Sequence, residues 1–169
     1  IWMRMELLKH TYNKLHPPNW ESWLYKTEKG YLKEIHSENR FDGITLNRFI
    51  EKFDCIAEPV SLNCDDNVLK YEMPDYKLNH FTDLSYSEQL KIFSQLIDIM
   101  NDFMMYSIAL GHEMIFCHND FGIYNMFIVD GKIKLIDLDS FEWMSKEQFH
   151  NHLSYTATHV PTQFNLNRI

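Results

Sequence analysis

His118-Asn119-Asp120-Phe121-Gly122-Ile123-Tyr124-Asn125 is followed at once by Met126 to Val129, the pair Asp130-Gly131, Lys132 to Ile136, and then Asp137-Leu138-Asp139. This is the stretch from which the fold is read. The runs on either side of Asp130-Gly131 are short and β-prone. An Asp-Gly pair between such runs predicts a tight hairpin, because both residues tolerate positive φ. The second run ends in Leu135 and Ile136, which should pack into a core and deliver Asp137 at the strand end. The offset of five residues puts Asp120 and Asn125 at opposite ends of one irregular loop. The hairpin then brings the chain back, so that three oxygen-bearing groups from separate positions converge.

Upstream, Ser85 and Glu88 form an S-x-x-E box, and Gly111 supplies a C-terminal stop. Between them Leu90, Phe93, Ile97, Met100 and Met104 recur at three and four residues, which predicts a long helix with that stripe in the core. Met114 to Cys117 is a short apolar entry into the decisive stretch. Pro74 to Leu84 reads as a linker between two lobes. Before it, Ser22 to Thr27 and Tyr31 to His36 read as strands around a Glu28-Lys29-Gly30 turn. Ile44 to Phe53 is an amphipathic helix. Val60 to Asn63 and Val68 to Met73 are two further strands. Trp2 to His16 carries a loose helical pattern, stopped by Pro17-Pro18.

The catalytic segment resembles the protein-kinase-like superfamily, whose pattern is H-x-D-x-x-x-x-N, a hairpin, and an Asp followed shortly by a second acidic residue or glycine. Ile136-Asp137-Leu138-Asp139 lies closer to the aminoglycoside phosphotransferase and choline kinase branch than to the Asp-Phe-Gly of protein kinases. The resemblance implies a two-lobed α+β fold, with a reduced β-rich N-lobe over residues 1–74, a hinge over 75–84 and a short helical C-lobe over 85–169. It implies ATP and Mg²⁺ as cofactors and the hydroxyl of a small molecule, such as an amino alcohol, sugar or antibiotic, as acceptor. Asp120 would be the catalytic carboxylate, Asn125 and Asp137 the metal ligands, and His118 a structural brace. Phosphoryl transfer asks a protein mainly for positioning and charge neutralisation, and these are the groups it needs.

The first half of the chain offers the family's order of strand lysine, helix, two strands and hinge. Lys33 is the residue for the nucleotide phosphates, with Lys26 and Lys29 as competitors. Backbone groups near Glu72 and Met73, within Lys70 to Pro74, would meet the adenine. Asp42 is the better placed helix carboxylate for Lys33, although Asp42-Gly43 reads equally well as a turn or cap.

Three departures bear on function. The chain has only five glycines and no Gly-rich loop. That absence argues for a nucleotide-binding module without turnover as one rival reading, and a minimal protein kinase using the same catalytic trio is the other. The short stretch after Asp137 leaves the acceptor site to be short, or completed by a missing segment or another chain. Thr156 to Pro161 only faintly echoes an activation segment, and His150 and His152 read as polar tail residues.

Composition bounds the rest. Apolar residues make up 45% of 169 residues and the formal charge is −8, which suits a globular chain and speaks against a nucleic-acid binder. No apolar run is long enough for a membrane span. Cys55, Cys64 and Cys117 are odd in number and form no CxxC pair, as expected of free thiols in a reducing compartment. The chain begins at Ile1, as a fragment or processed protein would. A cytoplasmic location is the expectation.

Overall fold

The computed structural model describes residues 4–13, 19–75, 79–123 and 126–164. The protein is mixed α+β, with three α-helices among the described residues and a five-stranded antiparallel sheet. The chain divides into two compact units.

The first unit holds residues 1–53 and 57–77. Its strands are β1 (Glu6–Asn13), β2 (Trp20–Lys26), β3 (Gly30–Ser37), β4 (Ser61–Cys64) and β5 (Val68–Pro74), with helix α1 (Gly43–Lys52) between β3 and β4. The sheet order is β1-β2-β3-β5-β4. The segment expected as a helix before Pro17 is thus a strand over its described part, paired along its length with β2. Its loose apolar spacing is outweighed by a cross-strand partner that local pattern does not reveal. Alternation along β3 puts Lys33 on the same face as Ile35, which is 2% exposed. Leu69 stands opposite Ile35 and Tyr71 opposite Lys33, and both partners are buried.

β5 continues through Pro74, opposite Gly30. A Cβ on Gly30 would lie 2.0 Å from the Met73 carbonyl oxygen, so only glycine lets the two strands meet here. Residues 70–74, whose backbone was expected to meet the adenine, are strand, in line with the reading of Val68 to Met73. Glu72 stands between Leu32 and Ser61, and its carbonyl accepts the Val60 N–H at 2.7 Å.

The second unit holds residues 54–56 and 78–169. Within the segment read as a linker, β6 (Asn79–His80) pairs with β8 (Met126–Val129), and Phe81 is fully buried. Helix α2 (Tyr86–Ala109) is capped by Ser85, whose side chain accepts the Glu88 N–H, and Gly111 ends it at φ +86°. The buried face of α2 is Gln89, Ile92, Leu96, Met100, Phe103 and Ser107, largely one position away from the expected stripe, of which Leu90 is 44% exposed. Two of the six are polar and both have partners. Gln89 donates to the Phe81 carbonyl. The Ser107 hydroxyl donates to the Phe103 carbonyl and accepts the Phe116 N–H. Strand β7 (Ile115–His118) follows, and β9 (Lys132–Leu135) pairs with β8 through the expected hairpin, with Asp130 at φ +51° and Gly131 at φ +75°. Finally, β10 (Phe141–Met144) pairs antiparallel with β7, and α3 (Lys146–Thr162) starts at a reciprocal Ser145–Gln148 capping box. Among the described residues no helix is long and apolar enough to cross a membrane.

Gly30→Ala tests the strand contact. It should lower the unfolding free energy by about 1–3 kcal/mol, the usual cost of overpacking. Denaturant unfolding of the purified variant measures this, and an unchanged midpoint would contradict the close approach of β3 and β5.

Candidate active site

The decisive stretch is organised around one ring. His118 ends β7 and is 0% exposed. Its neighbours are Phe121, with ring centroids 5.1 Å apart, and Phe141, edge-on at 5.3 Å. Its Nδ1 accepts the Asp120 backbone N–H at 3.1 Å, which leaves the proton of the neutral ring on Nε2. The Asp137 backbone carbonyl is near enough to stabilise the protonated ring. No acceptor, however, meets full hydrogen-bond geometry at Nε2. Burial pushes the imidazole down to about 4, against the opposing pull of the Asp139 and Asp120 carboxylates. The Asp120 loop is thus held at Nδ1, and the Asp137 turn lies close to the same ring.

The ladder fixes the same juxtaposition independently. Phe141 stands opposite His118, and the Asn119 N–H donates to the Ser140 carbonyl at 2.8 Å. The loop bearing Asp120 and the turn bearing Asp137 and Asp139 thus leave the same end of the β7–β10 pair. Asp120 is exposed, and its Oδ1 receives a long contact from the Gly122 N–H at 3.4 Å. Asp137 and Asp139 are half-buried. Asp137 caps a single 3-10 turn, in which the Ser140 N–H donates to its carbonyl. Asn125 lies outside the described residues. Among the described residues no three His, Cys, Asp or Glu side chains group as a metal site. The donors that Asp137 and Asp139 offer are hard carboxylate oxygens, the ligand chemistry that suits magnesium.

Helix α3 supplies what single-residue reading missed. His152 is half-buried, donates from Nε2 to the His118 carbonyl at 2.9 Å and stacks on Phe121 at 5.5 Å. It belongs to a helix face with Tyr155, Thr156, His159, Val160 and Gln163. Together with Asn119 to Gly122, these residues enclose a cleft of about 270 Å³ at Asp120. The segment Thr156 to Pro161, taken as an echo of an activation segment, is part of this helix. The S-x-x-Q box at 145–148 and the spacing 152, 155, 156, 159 and 160 were the available signals.

In the first unit Lys33 is half-buried on the apolar sheet face. Its two competitors have local attachments. Lys26 pairs with Asp75 at 3.4 Å and lies over the Tyr31 ring at 4.5 Å. Lys29 is exposed in the β2–β3 turn, where its carbonyl accepts the Asp75 N–H. Asp42 caps α1, with Oδ1 accepting the Thr45 N–H at 3.0 Å and Oδ2 the Thr45 hydroxyl at 2.7 Å. Cap and turn were the alternatives its Asp-Gly context carried. Glu72 and Met73 are buried within β5. No protein-family model and no curated protein matches the chain.

His118 makes the site sensitive to acid. Its folded value of about 4 is below that of an unfolded histidine, near 6.5. The unfolded chain thus takes up a proton first, and stability falls as the pH drops from about 6.5 towards 4, by a total on the order of 3 kcal/mol. Thermal melts from pH 7 to pH 5 should show this loss in the wild type and a shallower one in His118→Gln. Parallel pH profiles for the two proteins would refute it.

Proposed function

We propose that this chain is an ATP- and Mg²⁺-dependent phosphotransferase with a two-lobed protein-kinase-like fold, nearer the aminoglycoside phosphotransferase and choline kinase branch, acting on the hydroxyl of a small molecule. One observation carries the reading: the buried His118 ring holds the Asp120 loop, and the β7–β10 pair brings the Asp137 turn to the same end, as a carboxylate for the acceptor and one for the metal would require. The order of strand with Lys33, helix and two strands supports it from residues outside the motif.

In this reading Asp120 receives the acceptor hydroxyl and takes or orients its proton. The acceptor oxygen bonds to the γ-phosphorus as the bond from that phosphorus to ADP breaks. Asp137 and Asn125 would hold magnesium, which supplies charge neutralisation at the phosphates. Lys33, on a half-buried face, is the cation for the α- and β-phosphates. β5 engages the backbone of Glu72 in the sheet, so the adenine would meet the end of β5, at and beyond Met73.

A second reading is favoured by one feature. Residues 14–19 between β1 and β2 read Lys-Leu-His-Pro-Pro-Asn, without the glycines that let backbone N–H groups approach phosphates closely. A nucleotide-binding module without turnover would tolerate this more easily than an enzyme.

Nucleotide titration separates the two. At about 100 times its dissociation constant, ATP with Mg²⁺ should stabilise the fold by about 2.7 kcal/mol, and Asp137→Ala should abolish that gain. Asp120→Asn keeps shape but removes the charge. It should leave Mg²⁺-ATP binding near wild type and cut ATP turnover on the order of 100-fold or more. Wild-type binding without any turnover would select the second reading. No stabilisation at millimolar Mg²⁺-ATP would defeat both.

Lys33→Ala should impair nucleotide binding far more than thermal stability, and the same change at Lys26 or Lys29 should be nearly silent. A dominant effect at Lys26 in the same titration would show that the wrong lysine has been assigned.

A further inference from the structure

The cleft at Asp120 has a composition that narrows what can enter it. Its volume, about 270 Å³, lies at the small end for ligand sites. It admits something the size of a monosaccharide and not a multi-ring compound. Among the described residues no Lys or Arg lines it, and its one carboxylate is Asp120. The other polar groups there are the amides of Asn119 and Gln163, the Thr156 and Tyr155 hydroxyls and two imidazoles.

One wall is planar. Tyr155 stacks on His159 with ring centroids 3.8 Å apart and planes 16° from parallel, yet Tyr155 is 60% exposed. One face of its ring is therefore covered by His159, and the other is open. The wall is also anchored from behind, because Thr156 and Val160 are each 3% exposed. Across the cleft, Phe121 is 3% exposed and held against His152 and His118.

Charge then discriminates among acceptors. An anionic acceptor, such as a sugar phosphate, would find no Lys or Arg among the described lining residues and would meet the Asp120 carboxylate. A cationic amino alcohol would place its charge on the same carboxylate its hydroxyl requires. A quaternary ammonium group prefers several open aromatic faces around it, whereas here Phe121 is 3% exposed and stacked on His152, which leaves the Tyr155 face as the open one. A neutral ring with several hydroxyls meets neither obstacle. Its C–H face packs on an aromatic ring by dispersion and on the negative ring face, while amide and hydroxyl groups satisfy its edge.

We propose that the cleft at Asp120 binds a small uncharged ring polyol of monosaccharide or cyclitol size, with Tyr155 as its stacking platform. The inference rests on the phosphotransferase reading for the chemistry that follows binding, and on the cleft alone for the binding. Tyr155 is a specificity-determining residue, and Asp120 holds the reacting hydroxyl.

Saturation-transfer NMR on the full chain tests it with glucose, myo-inositol, choline and glucose 6-phosphate as probes, followed by Mg²⁺-ATP turnover with each. Expected are binding of glucose or myo-inositol with the strongest transfer to ring C–H protons, about tenfold weaker binding in Tyr155→Ala, and retention in Tyr155→Phe. Tyr155 is exposed, so its removal should leave the melting temperature almost unchanged, which separates lost binding from lost fold. Binding with this pattern but no phosphorylation would uphold the polyol site and count against the phosphotransferase reading. Preferred binding or phosphorylation of choline or glucose 6-phosphate would overturn the polyol site and leave the phosphotransferase reading standing. Polyol binding indifferent to Tyr155→Ala, or no polyol binding at roughly tens of millimolar, would also overturn it.

Discussion

A fully buried imidazole is an expensive thing to place in a core unless its nitrogens are used. His118 is neutral at ordinary pH because burial disfavours the charged form. A neutral ring in one orientation has one acceptor and one donor nitrogen, and here the Asp120 N–H comes to the acceptor while the Asp137 turn lies close by. Losing this ring would leave a polar backbone group without its partner, which is costlier than the bond itself is favourable. The Asp120 loop is therefore tied to the ring by the same burial that makes it inert as an acid or base.

The elements around the ring serve to keep it there. Ser107 reaches from α2 to the Phe116 N–H at the start of β7. Phe141 on β10 packs against both Phe116 and His118. His152 on α3 takes the His118 carbonyl. Three elements thus converge on β7, a four-residue strand whose every residue is buried. In the first unit a comparable constraint falls on Gly30, whose missing side chain lets β5 run beside β3 to Pro74. That contact carries β5 one residue past the strand end at Met73 that the local sequence suggests.

What was legible in the sequence follows from how far each determinant reaches. The Asp130-Gly131 hairpin is written in two residues whose φ values are positive, and it needs no distant partner. The ends of α2 are likewise local, set by Ser85 and Gly111. The buried face of α2 was misread because Gln89 and Ser107 look like surface residues until Phe81 and Phe116 arrive to bond them. β1 was misread for a similar reason, since its strand character comes from pairing with β2. At the candidate site, the closeness of the Asp120 loop and the Asp137 turn and the buried place of His118 were legible as a pattern. His152, Tyr155 and His159 were not, because each was weighed alone. They form a surface only once the Ser145–Gln148 box starts a helix that points them the same way.

The site therefore divides into parts with different tolerance for change. The loop bearing Asp120 is held by backbone bonds and a buried ring. The wall opposite is one face of a helix whose inner positions, Phe149, Thr156 and Val160, are buried while Tyr155 and His159 are exposed. An exposed helical position can change without disturbing the contacts that seat the helix. Substitutions at Tyr155 or His159 can therefore alter the cleft wall while the Asp120 loop stays where His118 puts it. In the proposed reading, recognition would be borne by the side of the site that folding constrains least, and chemistry by the side it constrains most.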